Sequence, residues 1–322
     1  MKTDIGEYKK QDIIQSFFND VEYCDLRKSE MQKLLAEFFC DDRNTVRVYR
    51  GLTFDSHLYP TILRDISKDL NRCELREYES KVYEQYNRYS IQYLPYYENL
   101  SDWLASAQHF GLETRLIDWT YNPLVALYFA INNRDEDDYD SYIFATDVEY
   151  HIKEFFYFAG TTDEQDTYVH KRKWQLNKNL EWIGNKESMI EFYDNPKNKS
   201  LGDEFEKEVK RGEKLCFLKT NDANPRIIAQ DGLFQLCRFP IWKVEQDGSK
   251  KKNSVADIKE CIANELKRNI KKIYVIRKQD RKELQEFLCE KNINTPKLFP
   301  DLISICRYIN SNCKERNAVK TV

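Results

Sequence analysis

Gln108, His109, Thr114, Arg115, Asp118 and Thr120 crowd into one short stretch whose other residues are apolar enough for a protein interior. A guanidinium binds carboxylates and phosphates through paired hydrogen bonds, an imidazole titrates near neutrality, and a carboxylate accepts protons and hydrogen bonds. Buried groups of this kind are costly unless something satisfies them. They therefore satisfy one another or a ligand. For Arg115 and Asp118 both readings stand: an ion pair that pins a loop, and two arms of a binding site. His109, at the end of a helical stretch, can cap carbonyls or serve a site. A second candidate is Arg50-Gly51, where an alternating run stops at a glycine.

The elements around these residues follow from periodicity and caps. Phe17, Phe18, Val21, Met31, Leu34, Leu35, Phe38 and Phe39 recur at helical spacing and predict one or two amphipathic helices over 16–39. Residues 46–52 alternate and read as a strand ending at Gly51. Residues 59–64 read as a loop leading to a short strand or turn. A helix is expected over 67–97, with Leu70, Leu75, Tyr78, Val82, Tyr86, Tyr89 and Tyr93 forming its core stripe. Ser101 is the expected N-cap of a helix over 102–110, with Gly111 ending it. Asn122-Pro123 opens a second helix, 124–132, apolar on nearly all sides and hence central. Residues 114–120 are then a short extended segment between two anchored helices.

Further along, 134–140 reads as a solvated acidic loop, and 141–148, 214–219 and 273–276 as strands. Residues 224–234 read as a strand running into a turn, and 247–252 as an exposed turn. Ser254 caps a helix to about Asn269, Asp280 opens another to about Lys291, and a last helix follows Leu302.

Lys and Arg number 51 against 54 Asp and Glu, a net charge of −3, so no global basic field draws nucleic acid, although a local groove remains open. A third of the residues are charged and the mean hydropathy is −0.75, yet 14% are aromatic, which excludes a disordered chain. The nine cysteines form no CxxC pair and no zinc-like spacing with histidine. Reduced thiols and no metal are expected. No apolar leader or membrane-length run occurs, which predicts a cytoplasmic protein that makes no membrane contact.

Tyr49-Arg50-Gly51, the block 108–130, the run 226–234 and Leu298-Phe299-Pro300-Asp301-Leu302 together resemble the FRG-domain family, named for a Phe-Arg-Gly-type motif. The layout is also similar to the ADP-ribosyltransferase superfamily. There a strand ends in Arg-Gly, a later strand with Ser/Thr leads into a helix bearing an aromatic residue, and a final strand carries Glu. The resemblance assigns Tyr49-Arg50-Gly51 to the first element, Asp118-Trp119-Thr120 with Tyr128-Phe129-Ala130 to the second, and Ile228-Ala229-Gln230 to the third. It implies an α+β fold: a single domain over 45–312 with a central mixed or antiparallel split β-sheet flanked by helices. An N-terminal helical segment (1–44), an insertion or cap (149–210) and a frayed tail (313–322) complete the expected layout.

What the resemblance implies chemically is NAD as substrate. Arg50, with Arg115, would hold the diphosphate, Gly51 would let backbone approach the nicotinamide amide, and Tyr128 would stack on its ring. Tyr49, Gln108 and Thr120 complete the implied binding set, and Arg50, His109, Asp118 and Gln230 the catalytic one. Gln230 stands where the superfamily has Glu; an amide can hold a ribose hydroxyl but takes no proton. His109 or Asp118 would then be the base, unless the acceptor brings its own nucleophile or the acid lies among Glu204, Glu206 and Glu208, a cluster that also reads as a solvated helix face. The expected activity is ADP-ribosyl transfer to nucleic acid or protein, of the kind used by bacterial toxins and phage-defence effectors, with an antitoxin or phage-derived partner. The alternatives are a non-catalytic nucleotide-binding or interaction module, for which Gln230 argues, and an NAD glycohydrolase.

Overall fold

In a strand, successive side chains point to opposite faces, and here both faces are apolar, so layers must cover the sheet on both sides. Tyr142 and Phe144 enter one core with Val48, Ile117, Trp119 and Ile273, while Ile143 and Ala145 enter a second with Tyr49, Tyr274 and Ile276. A computed structural model describes residues 18, 21–39, 45–53, 58–90, 92–93, 100–132, 139–149, 217–218, 224–237, 239, 242–244 and 250–318. The expected insertion at 149–210, including Glu204, Glu206 and Glu208, lies almost wholly outside them.

The described elements are β1 (Glu22–Asp25), α1 (Met31–Phe39), β2 (Thr45–Leu52), α2 (Arg72–Ser90), α3 (Leu100–His109), β3 (Leu116–Thr120), α4 (Pro123–Ile131), β4 (Ser141–Glu149) and β5 (Phe217–Leu218). There follow α5 (Pro225–Ala229), β6 (Gly232–Leu236), β7 (Trp242–Val244), β8 (Lys250–Lys252), α6 (Val255–Asn269), β9 (Lys272–Ile276), α7 (Arg281–Glu290), α8 (Thr295–Leu298) and α9 (Leu302–Ala318). The fold is mixed α+β. Its main sheet has seven strands in the order β1-β9-β4-β2-β3-β6-β5, and β7 with β8 forms a separate hairpin. Val255, Ile258, Ile262 and Leu266 of α6 cover the first face; α4 and Leu284, Phe287 and Leu288 of α7 cover the second. Among the described residues no helix is long and apolar enough to cross a membrane.

Neighbouring strands pair antiparallel except β1, which runs parallel to β9. The join between β2 and β3 differs from the rest. Tyr49 lies opposite Thr120, and past that point the two strands part, whereas β2 pairs with β4 along its whole length. One edge of the fork is thus Arg50–Leu52 and the other Leu116–Trp119.

Several expectations need correction. Residues 22–25 form a sheet-edge strand rather than helix; Glu22 and Asp25 are exposed and only Tyr23 and Cys24 half-buried, so apolar alternation is missing. Helix α2 is shorter than 67–97, and its core face is Arg72, Leu75, Glu79 and Tyr83, leaving Tyr78, Tyr89 and Tyr93 outside. Helix α3 begins at Leu100, which puts Ser101 inside it. Lys250–Lys252 is strand instead of turn. Asp140 is not a solvated loop residue: it is buried and accepts from Arg277 Nη1 at 2.9 Å and from the Lys278 amide at 3.0 Å. Residues 224–234 do not run as one strand. Asn224 accepts from the Arg226 amide at 3.0 Å, Pro225 opens α5, and the strand starts only at Gly232.

Candidate functional site

A cavity of about 530 Å³ fills the fork between β2 and β3. Arg50 and Leu52 line it from β2 with Thr53 just past its end, Leu116 to Thr120 from β3, Gln108 and His109 from the end of α3, Phe129 from α4 with Asn132 capping it, and Arg226 and Gln230 from α5 and the turn after it; Arg64 completes the wall. Ligand clefts of this size with a few convergent polar groups are the usual form of a small-molecule site.

Asp118 is the cavity's carboxylate. It is open to the cavity, yet the protein mass around it desolvates the group, and burial pushes its pKa above the ordinary value. The Gln108 hydrogen bond and the Arg50, Arg226 and Arg64 guanidiniums oppose that shift. Gln108 Nε2 donates to Asp118 Oδ1 at 2.8 Å, while Gln108 Oε1 accepts the Thr114 hydroxyl. Thr114 is fixed in turn, for its amide donates to Thr61 Oγ1 at 3.0 Å. A relay of short side chains therefore sets the carboxylate's direction.

Three guanidiniums face that single carboxylate. Burial lowers the Arg50 pKa to about 10, helped by the like charge of Arg64 and opposed by Asp118, so Arg50 stays cationic at neutral pH. Arg64 and Arg226 are lowered too, again by burial first, and Asp118 opposes both shifts. Cations crowded and desolvated in this way have a deficit of negative charge, which an anionic ligand removes. His109 is held below its ordinary pKa by burial and by Arg226, against Asp301, which keeps the imidazole neutral at neutral pH. Its Nδ1 has no hydrogen-bond partner among the described residues.

The structure redistributes the expected site. Arg50, Gln108, His109, Asp118, Thr120, Gln230, Tyr49 and Gly51 all border the cavity. Arg115 and Tyr128 do not. Arg115 is not paired with Asp118; its Nε and Nη2 donate to Glu79 at 2.7 and 2.5 Å in the interior, and its guanidinium lies 4.3 Å from the Phe239 ring centroid. Tyr128 is 5% exposed, with its hydroxyl 2.7 Å from Thr295 Oγ1, and the ring that reaches the cavity is its neighbour Phe129. Gly51 serves the fold: a Cβ there would lie 1.9 Å from the Ala126 carbonyl oxygen, so only glycine lets α4 sit this close to β2. Thr120 spends its hydroxyl internally, donating to the Gln230 carbonyl at 2.6 Å and accepting from the Asn122 amide at 3.0 Å. Gln230 follows a helix, not a strand, and its Nε2 donates to the Leu298 carbonyl at 3.0 Å.

Arg64, Phe129 and Arg226 were not among the sequence-based site candidates. Phe129 and Arg226 sit in motifs that were singled out for other residues, and Arg64 in a stretch read only as a loop, so type and position alone gave no signal for which side chain turns inward.

A search of curated proteins and a search of solved structures return no match to the chain. A family model does match: the FRG domain, over residues 45–139. That span contributes β2, β3 and most of the cavity wall, while Arg226 and Gln230 come from beyond it.

Proposed function

We propose that this protein, which carries an FRG domain, is an NAD-consuming ADP-ribosyltransferase whose substrate lies in the fork between β2 and β3. The carrying observation is three guanidiniums around one recessed carboxylate in a single cavity. Two negative charges on a nucleoside diphosphate would offset the excess of cations, and one carboxylate would remain for the ribose. A sheet that splits to receive its ligand also fits the superfamily layout that the Arg-Gly strand resembles.

In this reading Arg50 and Arg226 bind the diphosphate, and the Phe129 ring offers the aromatic face first assigned to Tyr128. The bond from ribose C1′ to the nicotinamide nitrogen breaks with its electron pair leaving on nicotinamide, which becomes neutral. Asp118 stabilises the positive charge that develops on the ribose. A lone pair of the acceptor, a group on nucleic acid or protein, then bonds to C1′ and its proton passes to Asp118. Gln230 positions and does not take a proton. Transfer of this kind suits a bacterial toxin or phage-defence effector in the cytoplasm, restrained by an antitoxin or triggered by a phage-derived partner.

The test is incubation with labelled NAD and either cell lysate or total RNA, with Arg50→Ala as control. Label in macromolecules is expected from the wild type only. Free nicotinamide without macromolecular label would instead establish a glycohydrolase, and neither product from the wild type would end the enzyme reading.

A further inference from the structure

The segment Leu298-Phe299-Pro300-Asp301 lies far outside the matched FRG span, and nothing in the catalytic reading above uses it. It nevertheless closes on the cavity wall at several points. The Arg226 guanidinium lies 4.4 Å from the Phe299 ring centroid, and that ring meets Phe129 edge to face at 6.0 Å. The Leu298 carbonyl accepts from Gln230 Nε2 at 3.0 Å, which ties the end of α5 to the same segment. Asp301 is directed by the Ser304 amide at 2.8 Å and acts electrostatically on both Arg226 and His109.

A long arginine at the rim of a cleft is a poor anion receptor unless its guanidinium is held, because the entropy of its rotamers is lost when a ligand binds. A ring under the guanidinium plane holds it by cation–π attraction and leaves the N–H edges free for a ligand. The negative charges of Asp118 and Asp301 both favour the cationic form of this guanidinium.

We propose that Arg226 is the second diphosphate-binding arm of the cavity and that Phe299 is its positioning residue. This rests on the reading of the cavity as an NAD site. It also means that residues 45–139 alone do not make a complete site: the anion-binding wall is finished by chain from 226 to 301.

Calorimetric titration with NAD, with thermal unfolding in parallel to confirm a folded protein, tests the assignment. Phe299→Leu keeps apolar volume but removes the π-face, and should raise the NAD dissociation constant roughly three- to thirty-fold. Phe299→Tyr should restore affinity. Phe299→Leu added to Arg226→Ala should cost much less than Phe299→Leu alone, since only the edge contact with Phe129 is then left to lose. In steady state KM should rise with kcat within about twofold, the pattern of lost binding that is shared by ground and transition states. A wild type that binds NAD while folded Phe299→Leu binds equally well, or additive losses in the double variant, would overturn the positioning role and leave the NAD reading intact. A wild type that binds no NAD would end both.

Discussion

The Glu79 carboxylate on α2 accepts from Arg115 Nε at 2.7 Å and Nη2 at 2.5 Å, and neither side chain reaches solvent. Tyr83 adds its hydroxyl to the same carboxylate at 3.1 Å. The pair bolts α2 to the start of β3, which is the strand that presents Asp118. Removing one partner of a buried pair strands a charge in the interior. Glu79→Ala should therefore lower unfolding stability by about 3–5 kcal/mol in urea denaturation. Glu79→Met with Arg115→Leu should recover much of that loss. NAD affinity of the folded double variant should match the wild type, since Arg115 lies outside the cavity; a weakened affinity would return Arg115 to the site.

Arg50 and Gly51 are adjacent in the motif but do different work. Gly51→Ala would drive a methyl into the Ala126 carbonyl, which is backbone and cannot rotate away. A loss at or above the roughly 1–3 kcal/mol typical of overpacking is expected, seen as low solubility or a depressed thermal midpoint. Arg50→Ala should fold normally and lose NAD binding. Comparable stability in the two variants would show that α4 shifts to accommodate a side chain.

Tyr128 and Phe129 separate in the same way. Tyr128→Phe removes one hydrogen bond to Thr295 and should cost about 0.5–1.5 kcal/mol of stability, with unchanged nucleotide affinity. Phe129→Leu, which keeps apolar volume where the ring meets Tyr128 and Phe299, should leave the protein folded and weaken NAD binding by roughly 1–3 kcal/mol if the ring stacks on a base. Calorimetry on both variants decides which aromatic meets the ligand.

Local grammar made much of this fold readable. Asn122-Pro123 does cap α4, with Asn122 accepting from the Leu124 amide at 3.0 Å, and Ser254 forms a full capping box with Asp257. The same Asn-Pro pair at 224–225 also starts a helix, but the β-branched Ile227 and Ile228 after it favour a strand by propensity, and the cap outweighs that. Strand alternation placed Arg50 at a strand end. What sequence could not show were pairings between distant residues: Glu79 with Arg115, Phe299 with Arg226, and the parting of β2 from β3. Each depends on how elements pack, and no spacing within an element encodes it.

Asp118 offers a test in which stability and activity move in opposite directions. Burial raises its folded-state pKa, so the folded protein holds the proton more tightly than the unfolded chain. Stability is therefore highest below the ordinary carboxylate pKa, falls as pH rises from there through the raised folded value, and stays lower above it. Asp118→Asn keeps the acceptor for Gln108 and removes the charge. The variant should unfold at a higher temperature than the wild type at neutral pH, and the gap should close as the pH drops below the ordinary carboxylate range. Transfer from NAD should fall on the order of 10²- to 10⁴-fold if the carboxylate receives the acceptor's proton. A variant less stable than the wild type at neutral pH would mean that the guanidiniums of Arg50, Arg64 and Arg226 outweigh burial, and Asp118 would then be a structural counter-ion rather than a proton acceptor.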